Sequence, residues 1–75
     1  MTGGERTARQ ARKLVEDWLR EHALAEIQVR TATTVRFSDL ARGSAVFVEI
    51  TKPLLPPLGG ELDAFAHNNG FYVDW

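Results

Sequence analysis

The chain has 75 residues, 44% of them hydrophobic, and nine Lys and Arg against ten Asp and Glu give a formal net charge of -1. This length fits one domain, and the near-neutral charge gives no bulk attraction to nucleic acid or to an anionic membrane. The absence of cysteine excludes disulfides and thiolate metal sites, and no apolar run reaches the roughly 20 residues that span a bilayer. We therefore predict a single cytoplasmic domain over residues 5–75, preceded by a disordered N-terminus at 1–4.

The first predicted element is an amphipathic helix over residues 5–24. Leu14, Val15 and Trp18 recur at helical spacing on one side, and charged residues occupy the other side. Oppositely charged residues four positions apart add local support, and these pairs are Glu5 with Arg9, Arg12 with Glu16, Lys13 with Asp17, and Glu16 with Arg20. Thr2 and Gly4 are the candidates for the N-cap.

Two strands are predicted next, over residues 26–37 and 44–52, because apolar and polar residues alternate there and β-branched residues are enriched. Turn-forming residues between them, including Ser38 and Asp39, predict an antiparallel hairpin. Strict alternation would turn one set of side chains away from the core, namely Gln28, Arg30, Ala32, Thr34, Arg36, Phe47, Glu49 and Thr51.

The prolines of residues 53–57 end the second strand and lead into a short helix predicted over residues 59–68, with Asn69-Gly70 as its stop. Residues 71–75 form the last strand, which a right-handed crossover makes parallel to the second strand. The fold class is therefore α+β, a two-layer α-β-β-α-β sandwich whose three-stranded mixed sheet has both helices on one face. The predicted core comprises Leu14, Trp18, Ile27, Val29, Phe37, Val46, Val48, Ile50, Leu62, Phe65, Phe71, Val73 and Trp75.

This order of elements is broadly similar to that of KH-like and other small split α/β modules. The resemblance is one of element order, because the Gly-x-x-Gly loop that a KH domain uses on a nucleic-acid backbone is missing. The double glycine at Gly59-Gly60 follows prolines and precedes a helix, and it lacks that spacing. The resemblance therefore implies no nucleic-acid binding through such a loop.

The open face of the predicted sheet supplies the candidate binding residues, which are Arg30, Arg36, Phe47, Tyr72 and Trp75. Arginine and aromatic side chains anchor protein interfaces, and they also stack on unpaired bases. The plain alternative is that they decorate a solvated sheet. The last strand could also pair with a second copy through its free edge, or Trp75 could cap the core beside Trp18.

A second candidate is the basic helix face formed by Arg6, Arg9 and Lys13. Residues 58–75 contain Glu61, Asp63 and Asp74 and neither Lys nor Arg, so internal or dimeric charge complementarity is one interpretation. Phosphate binding is another, and a solvated ladder of salt bridges is the simplest.

Recognisable catalytic patterns are missing from the sequence. His22 lies on the apolar side of the first helix and His67 near the end of the second, and they are far apart in the sequence, whereas a metal site needs three or four ligands in one shell. We therefore predict no enzyme activity, no metal and no cofactor. The predicted function is a protein-interaction or assembly module that acts through the open sheet face or the C-terminal edge strand, with a homodimer as one form. The alternative is a module that binds single-stranded nucleic acid through the arginine and aromatic residues.

Overall fold

The computed structural model describes residues 7–36 and 44–75, and within them the predicted α-β-β-α-β order is confirmed. The elements are α1 (Ala8–Glu21), β1 (Val29–Arg36), β2 (Ser44–Ile50), α2 (Leu58–Asn68) and β3 (Tyr72–Asp74). The predicted disordered segment 1–4 and the turn at 38–43, with Ser38 and Asp39, lie outside the described residues. None of the described helices is long and apolar enough to cross a membrane.

Helix α1 begins at a capping box. The Thr7 hydroxyl accepts a hydrogen bond from the Gln10 N–H at 3.1 Å, and the Gln10 side chain accepts one from the Thr7 N–H at 3.1 Å. These two bonds satisfy backbone donors that the first turn of a helix leaves free. The predicted N-cap at Thr2 or Gly4 was therefore wrong, because the Thr-x-x-Gln pair further along the chain fixes the helix start.

The sheet has the order β1-β2-β3, with β2 in the centre. Strands β1 and β2 are antiparallel, and β3 is parallel to β2, as predicted. Helix α1 packs on β1 and β2, while α2 packs on β3, so the helices form one layer against the sheet. We call the helix-covered side of the sheet the inner face and the opposite side the outer face.

Helix α2 follows a cis peptide bond between Pro56 and Pro57 and ends at the predicted stop. Gly70 has a positive φ of 85°, the Gly70 N–H donates to the His67 carbonyl, and the Phe71 N–H donates to the Ala66 carbonyl. This is a Schellman motif, in which glycine takes the left-handed position. It turns the chain so that Phe71 enters the core and β3 starts beside β2.

A single hydrophobic core lies between the helices and the inner face. Most of the predicted core is confirmed as buried, and Leu14, Phe65 and Val73 pack against it partly buried. The core also contains Ala11, Val15, Leu19, Leu54 and Ala66. Trp75 does not belong to it, because 44% of that residue is exposed and the Trp18 ring instead stacks on His22 and tilts against Phe65. Phe37 lies outside the described residues.

Candidate interaction surface on the sheet

A β-bulge near the start of β1 decides which side chains share the outer face. Val29 pairs with Ile50, but the next pair joins Thr31 to Glu49, so Arg30 and Thr31 together oppose one residue of β2. One extra residue in a strand moves every side chain after it to the opposite face of the sheet from the one that strict alternation predicts. Strict alternation along β1 was therefore the wrong expectation beyond Arg30.

Downstream of the bulge, the pairs Ala32 with Val48 and Thr34 with Val46 belong to the inner phase of the sheet, since Val46 and Val48 are buried. Thr33 instead pairs with Phe47. The outer face accordingly consists of Arg30, Thr31, Thr33, Val35, Ala45, Phe47, Glu49, Tyr72 and Asp74. Among the described helices, α2 reaches this face at its C-terminal end through His67, and the rest of the face is left open.

The centre of the outer face is an aromatic pair. The parallel register places Tyr72 beside Phe47, and their rings stack with centroids 5.2 Å apart and an interplanar angle of 23°. The His67 ring meets the Tyr72 ring edge-on at 6.5 Å. Phe47 is half-buried, whereas 48% of Tyr72 is exposed. Phe47 thus supports an aromatic side chain that is about half open to solvent.

Charged groups lie at one end of this face. Arg30 Nη1 is 3.8 Å from Glu49 Oε2, and the Thr31 hydroxyl donates to Glu49 Oε1 at 3.4 Å. Asp74 is the register neighbour of Glu49 on β3, and its Oδ1 accepts the Trp75 N–H at 2.9 Å. The guanidinium group therefore faces one carboxylate, and a second carboxylate lies beside that pair.

The structure brings three of the five predicted binding residues together: Arg30, Phe47 and Tyr72 share the outer face. Arg36 pairs with Ser44 at the end of the hairpin. Its predicted place on the open face stays a prediction, because its side chain lies outside the described part of the structure. Trp75 does not join the outer face, because its ring packs against α2, where a Cβ at Gly59 would lie 3.6 Å from it. Sequence reasoning missed Thr31, Thr33 and Val35, although threonine at two supposedly buried positions was a signal.

Of the three residues that define the basic helix face, Lys13 has an ion pair, and Arg12 beside it has another. Lys13 Nζ is 3.6 Å from Asp17, and Arg12 Nε is 3.1 Å from Glu16. Arg20 pairs with Asp17 at 3.0 Å instead of the predicted Glu16. Arg9 is exposed without an ion pair among the described residues, and Arg6 lies outside them. For Lys13 this geometry agrees with the simplest interpretation, a solvated surface pair, and for Arg6 and Arg9 that interpretation stays a prediction.

The histidines lie in unrelated places. The His22 ring stacks on Trp18 with centroids 3.8 Å apart, and its Nδ1 is 2.8 Å from the Trp18 carbonyl oxygen. His67 contacts Tyr72 as described above. Across the two described stretches, no group of three His, Asp or Glu residues is arranged to hold a metal ion.

Comparison with known proteins adds no relative: no protein-family model, no curated protein and no solved structure matches this chain significantly.

Proposed function

We infer that this chain is a protein-interaction module that binds a partner protein through the outer face of its sheet. The observation that carries the proposal is the stacked Phe47–Tyr72 pair, which joins the central strand to β3 on a sheet face that the described helices leave open apart from His67. Val35, with 41% of its surface exposed, and half-buried Ala45 extend the apolar area along the strands. A rigid aromatic side chain on a strand is a common anchor of protein interfaces.

The charges on this face favour a protein over nucleic acid. Binding of a polyanion requires basic side chains that are free to reach phosphates. Glu49 lies 3.8 Å from Arg30 and offsets its charge, and Asp74 adds a second negative group at the same end. A protein surface can satisfy these groups with a donor or a cation, and it can place an apolar side chain on Tyr72.

The size of the face favours a transient contact. Three strands spaced about 4.8 Å apart and seven residues of about 3.3 Å each outline roughly 300 Å². Two copies packed face to face would then bury about 600 Å² in total, whereas stable interfaces start at about 1,200 Å². A lasting homodimer through this face alone is therefore disfavoured, and reversible docking of a partner protein suits it better.

The proposal is tested by selecting displayed random peptides on the immobilised domain and titrating the synthetic winners into the isotope-labelled protein. We expect amide shifts centred on Thr33, Phe47 and Tyr72. Tyr72→Ala should weaken binding about 30-fold, the loss of about 2 kcal/mol that marks an interface hot spot. Leu55→Ala is the matched control, since Leu55 is 79% exposed and is not part of the outer face.

Three results would contradict this function. The selected peptides could bind equally well to Tyr72→Ala and Leu55→Ala, which would place the contact elsewhere. Light scattering could show a stable dimer that Tyr72→Ala dissociates, which would make self-assembly the role of the face. An oligothymidine could bind at low salt and lose affinity in Phe47→Ala, which would support the nucleic-acid alternative.

A further inference from the structure

A second candidate surface is an open groove of about 490 Å³ that lies between β3 and the first half of α2. Asp63 and Gly60 line it from the helix, and Asp74 and Trp75 line it from the strand. Leu54 and Pro56 form its end. This groove is separate from the aromatic pair, because Phe47 and Tyr72 are not among its lining residues.

Two glycines of α2, Gly59 and Gly60, determine the shape of the groove. A Cβ at Gly59 would lie 2.8 Å from the Leu54 carbonyl oxygen and 3.6 Å from the Trp75 ring, so the helix, the linker and the indole meet tightly there. A Cβ at Gly60 would meet nothing within 4 Å. The helix therefore offers open backbone at Gly60, next to an indole that is only half covered, and an incoming chain can approach closely.

The strand side of the groove is a free sheet edge. β3 is the last strand in the order β1-β2-β3, and among the described residues no strand pairs with its other edge. Such an edge presents unpaired backbone N–H and C=O groups, which an extended segment can bind as an added strand. The neighbouring helix then supplies contacts for the side chains of that segment.

The charge around the groove indicates what kind of segment fits. Residues 53–75 contain Glu61, Asp63 and Asp74 and neither Lys nor Arg. None of these three carboxylates has an ion pair among the residues that the structure describes, and Asp63 and Asp74 line the groove itself. The same carboxylates disfavour a second copy, because pairing two β3 strands would bring four negative groups together over strands of only three residues.

We propose that this groove binds an extended segment of a partner protein that carries lysine or arginine, and that the segment adds as a fourth strand beside β3. Its backbone pairs with the free edge of β3, its basic side chains lie near Asp63 and Asp74, and an alkyl or guanidinium group packs on Trp75. The groove shares Asp74 with the outer face, but it uses neither Phe47 nor Tyr72 and it binds through the free edge of β3, so the two proposals can be tested separately.

The test is a titration of the isotope-labelled protein with a capped peptide of alternating valine and arginine. We expect shifts at Gly60, Val73 and the Trp75 indole N–H, together with slower amide exchange in β3. Asp63→Asn should weaken binding about fivefold, as one exposed ion pair of about 1 kcal/mol would. Gly60→Leu should abolish binding because its side chain fills the open space. Tyr72→Ala should leave the affinity for this peptide unchanged, because Tyr72 does not line the groove.

A second peptide, in which glutamate replaces every arginine, is the charge control and should not bind. Equal binding of the two peptides, or shifts that map to Phe47 and Thr33, would overturn the proposal, as would the lack of any shift with the arginine peptide at millimolar concentration. Because Tyr72→Ala removes the outer-face anchor and Gly60→Leu fills the groove, failure of one proposal is distinguishable from failure of the other.

Discussion

Helices α1 and α2 lie on the same face of the sheet, but different interactions hold them there. α1 carries its own stabilising contacts, which are the Thr7–Gln10 capping box and ion pairs one helical turn apart, such as Arg12 with Glu16. Its buried residues recur at helical spacing. The helix is therefore defined mainly by the local sequence.

α2 has few such contacts. Its N-cap is Pro57 without a side-chain hydrogen bond, and Gly59 and Gly60 occupy its first turn. Glycine disfavours a helix by about 1 kcal/mol per residue. What holds α2 is the surrounding structure: Leu62 and Ala66 are fully buried, and Gly59 fits against the Leu54 carbonyl and Trp75. Both candidate binding surfaces adjoin β3, so they depend on the helix that tertiary packing defines.

The largest expected effect comes from removing the packing at the end of α2. Phe71 is 1% exposed and meets the Phe65 ring edge-on. Phe71→Ala should lower the free energy of unfolding by about 3–5 kcal/mol, enough to unfold a domain this small. Urea denaturation followed by circular dichroism measures it.

Phe47→Ala is the matched control, because it deletes the same ring from the outer face. It should cost about 1–2 kcal/mol, chiefly the aromatic pair with Tyr72 and partial burial. Equal losses from the two variants would mean that the outer face is as much a part of the core as the inner face, and would contradict the one-sided packing.

The next effect tests whether the first turn of α2 is placed by close contact. Gly59→Ala puts a Cβ 2.8 Å from a backbone oxygen, so it should destabilise by about 1–3 kcal/mol. Gly60→Ala has open space and should stabilise by about 0.5 kcal/mol through higher helix propensity. Thermal melts of the two variants should shift in opposite directions. A gain in melting temperature for both would show that propensity alone limits α2.

A smaller effect is expected at the C-terminal ends of the two helices, which have the same hydrogen-bond geometry. The Ala23 N–H donates to the Arg20 carbonyl and the Leu24 N–H to the Leu19 carbonyl, so α1 also ends in a Schellman motif. Here, however, the left-handed residue is Ala23, with φ 57°. The motif at the end of α1 therefore carries strain that the glycine of α2 avoids.

Gly70→Ala should accordingly destabilise by about 1 kcal/mol, and Ala23→Gly should stabilise by a few tenths to about 1 kcal/mol. Urea denaturation of both variants checks the signs. A loss of stability in Ala23→Gly would mean that entropy gained by the unfolded chain outweighs relief of the strain at this position.

The sequence predicted the order of the elements because each has a clear periodicity, and it predicted the inner face of β2 because Val46, Val48 and Ile50 alternate without interruption. It failed where an effect depends on pairing between strands. The bulge at Arg30 is defined by its pairing with Glu49 on the other strand, which the sequence of β1 alone does not show. The residues Thr31-Ala32-Thr33-Thr34 also differ too little in hydrophobicity to show which of them face the core.

Trp75 was misplaced for a related reason. Alternation along β3 places Trp75 on the same face of the sheet as Val73. Whether Trp75 is then buried in the core depends on how closely α2 approaches the strand. That distance is set by Gly59 and the Leu54 carbonyl, which belong to other segments. The same close approach forms the groove, so the groove could not be predicted from β3 alone.

The smallest expected effect concerns the ion pairs of α1. Arg12 and Glu16 are about half exposed, so water and salt screen their attraction, and a double-mutant cycle of Arg12→Gln and Glu16→Gln should give a coupling free energy of about 0.2–0.5 kcal/mol. Measured in molar salt, where charges are screened within about 3 Å, most of this coupling should disappear. A coupling above about 1 kcal/mol that persists in salt would contradict the interpretation of these ion pairs as solvated surface contacts. It would indicate that the charges of α1 add to its stability beyond what its cap and buried residues supply.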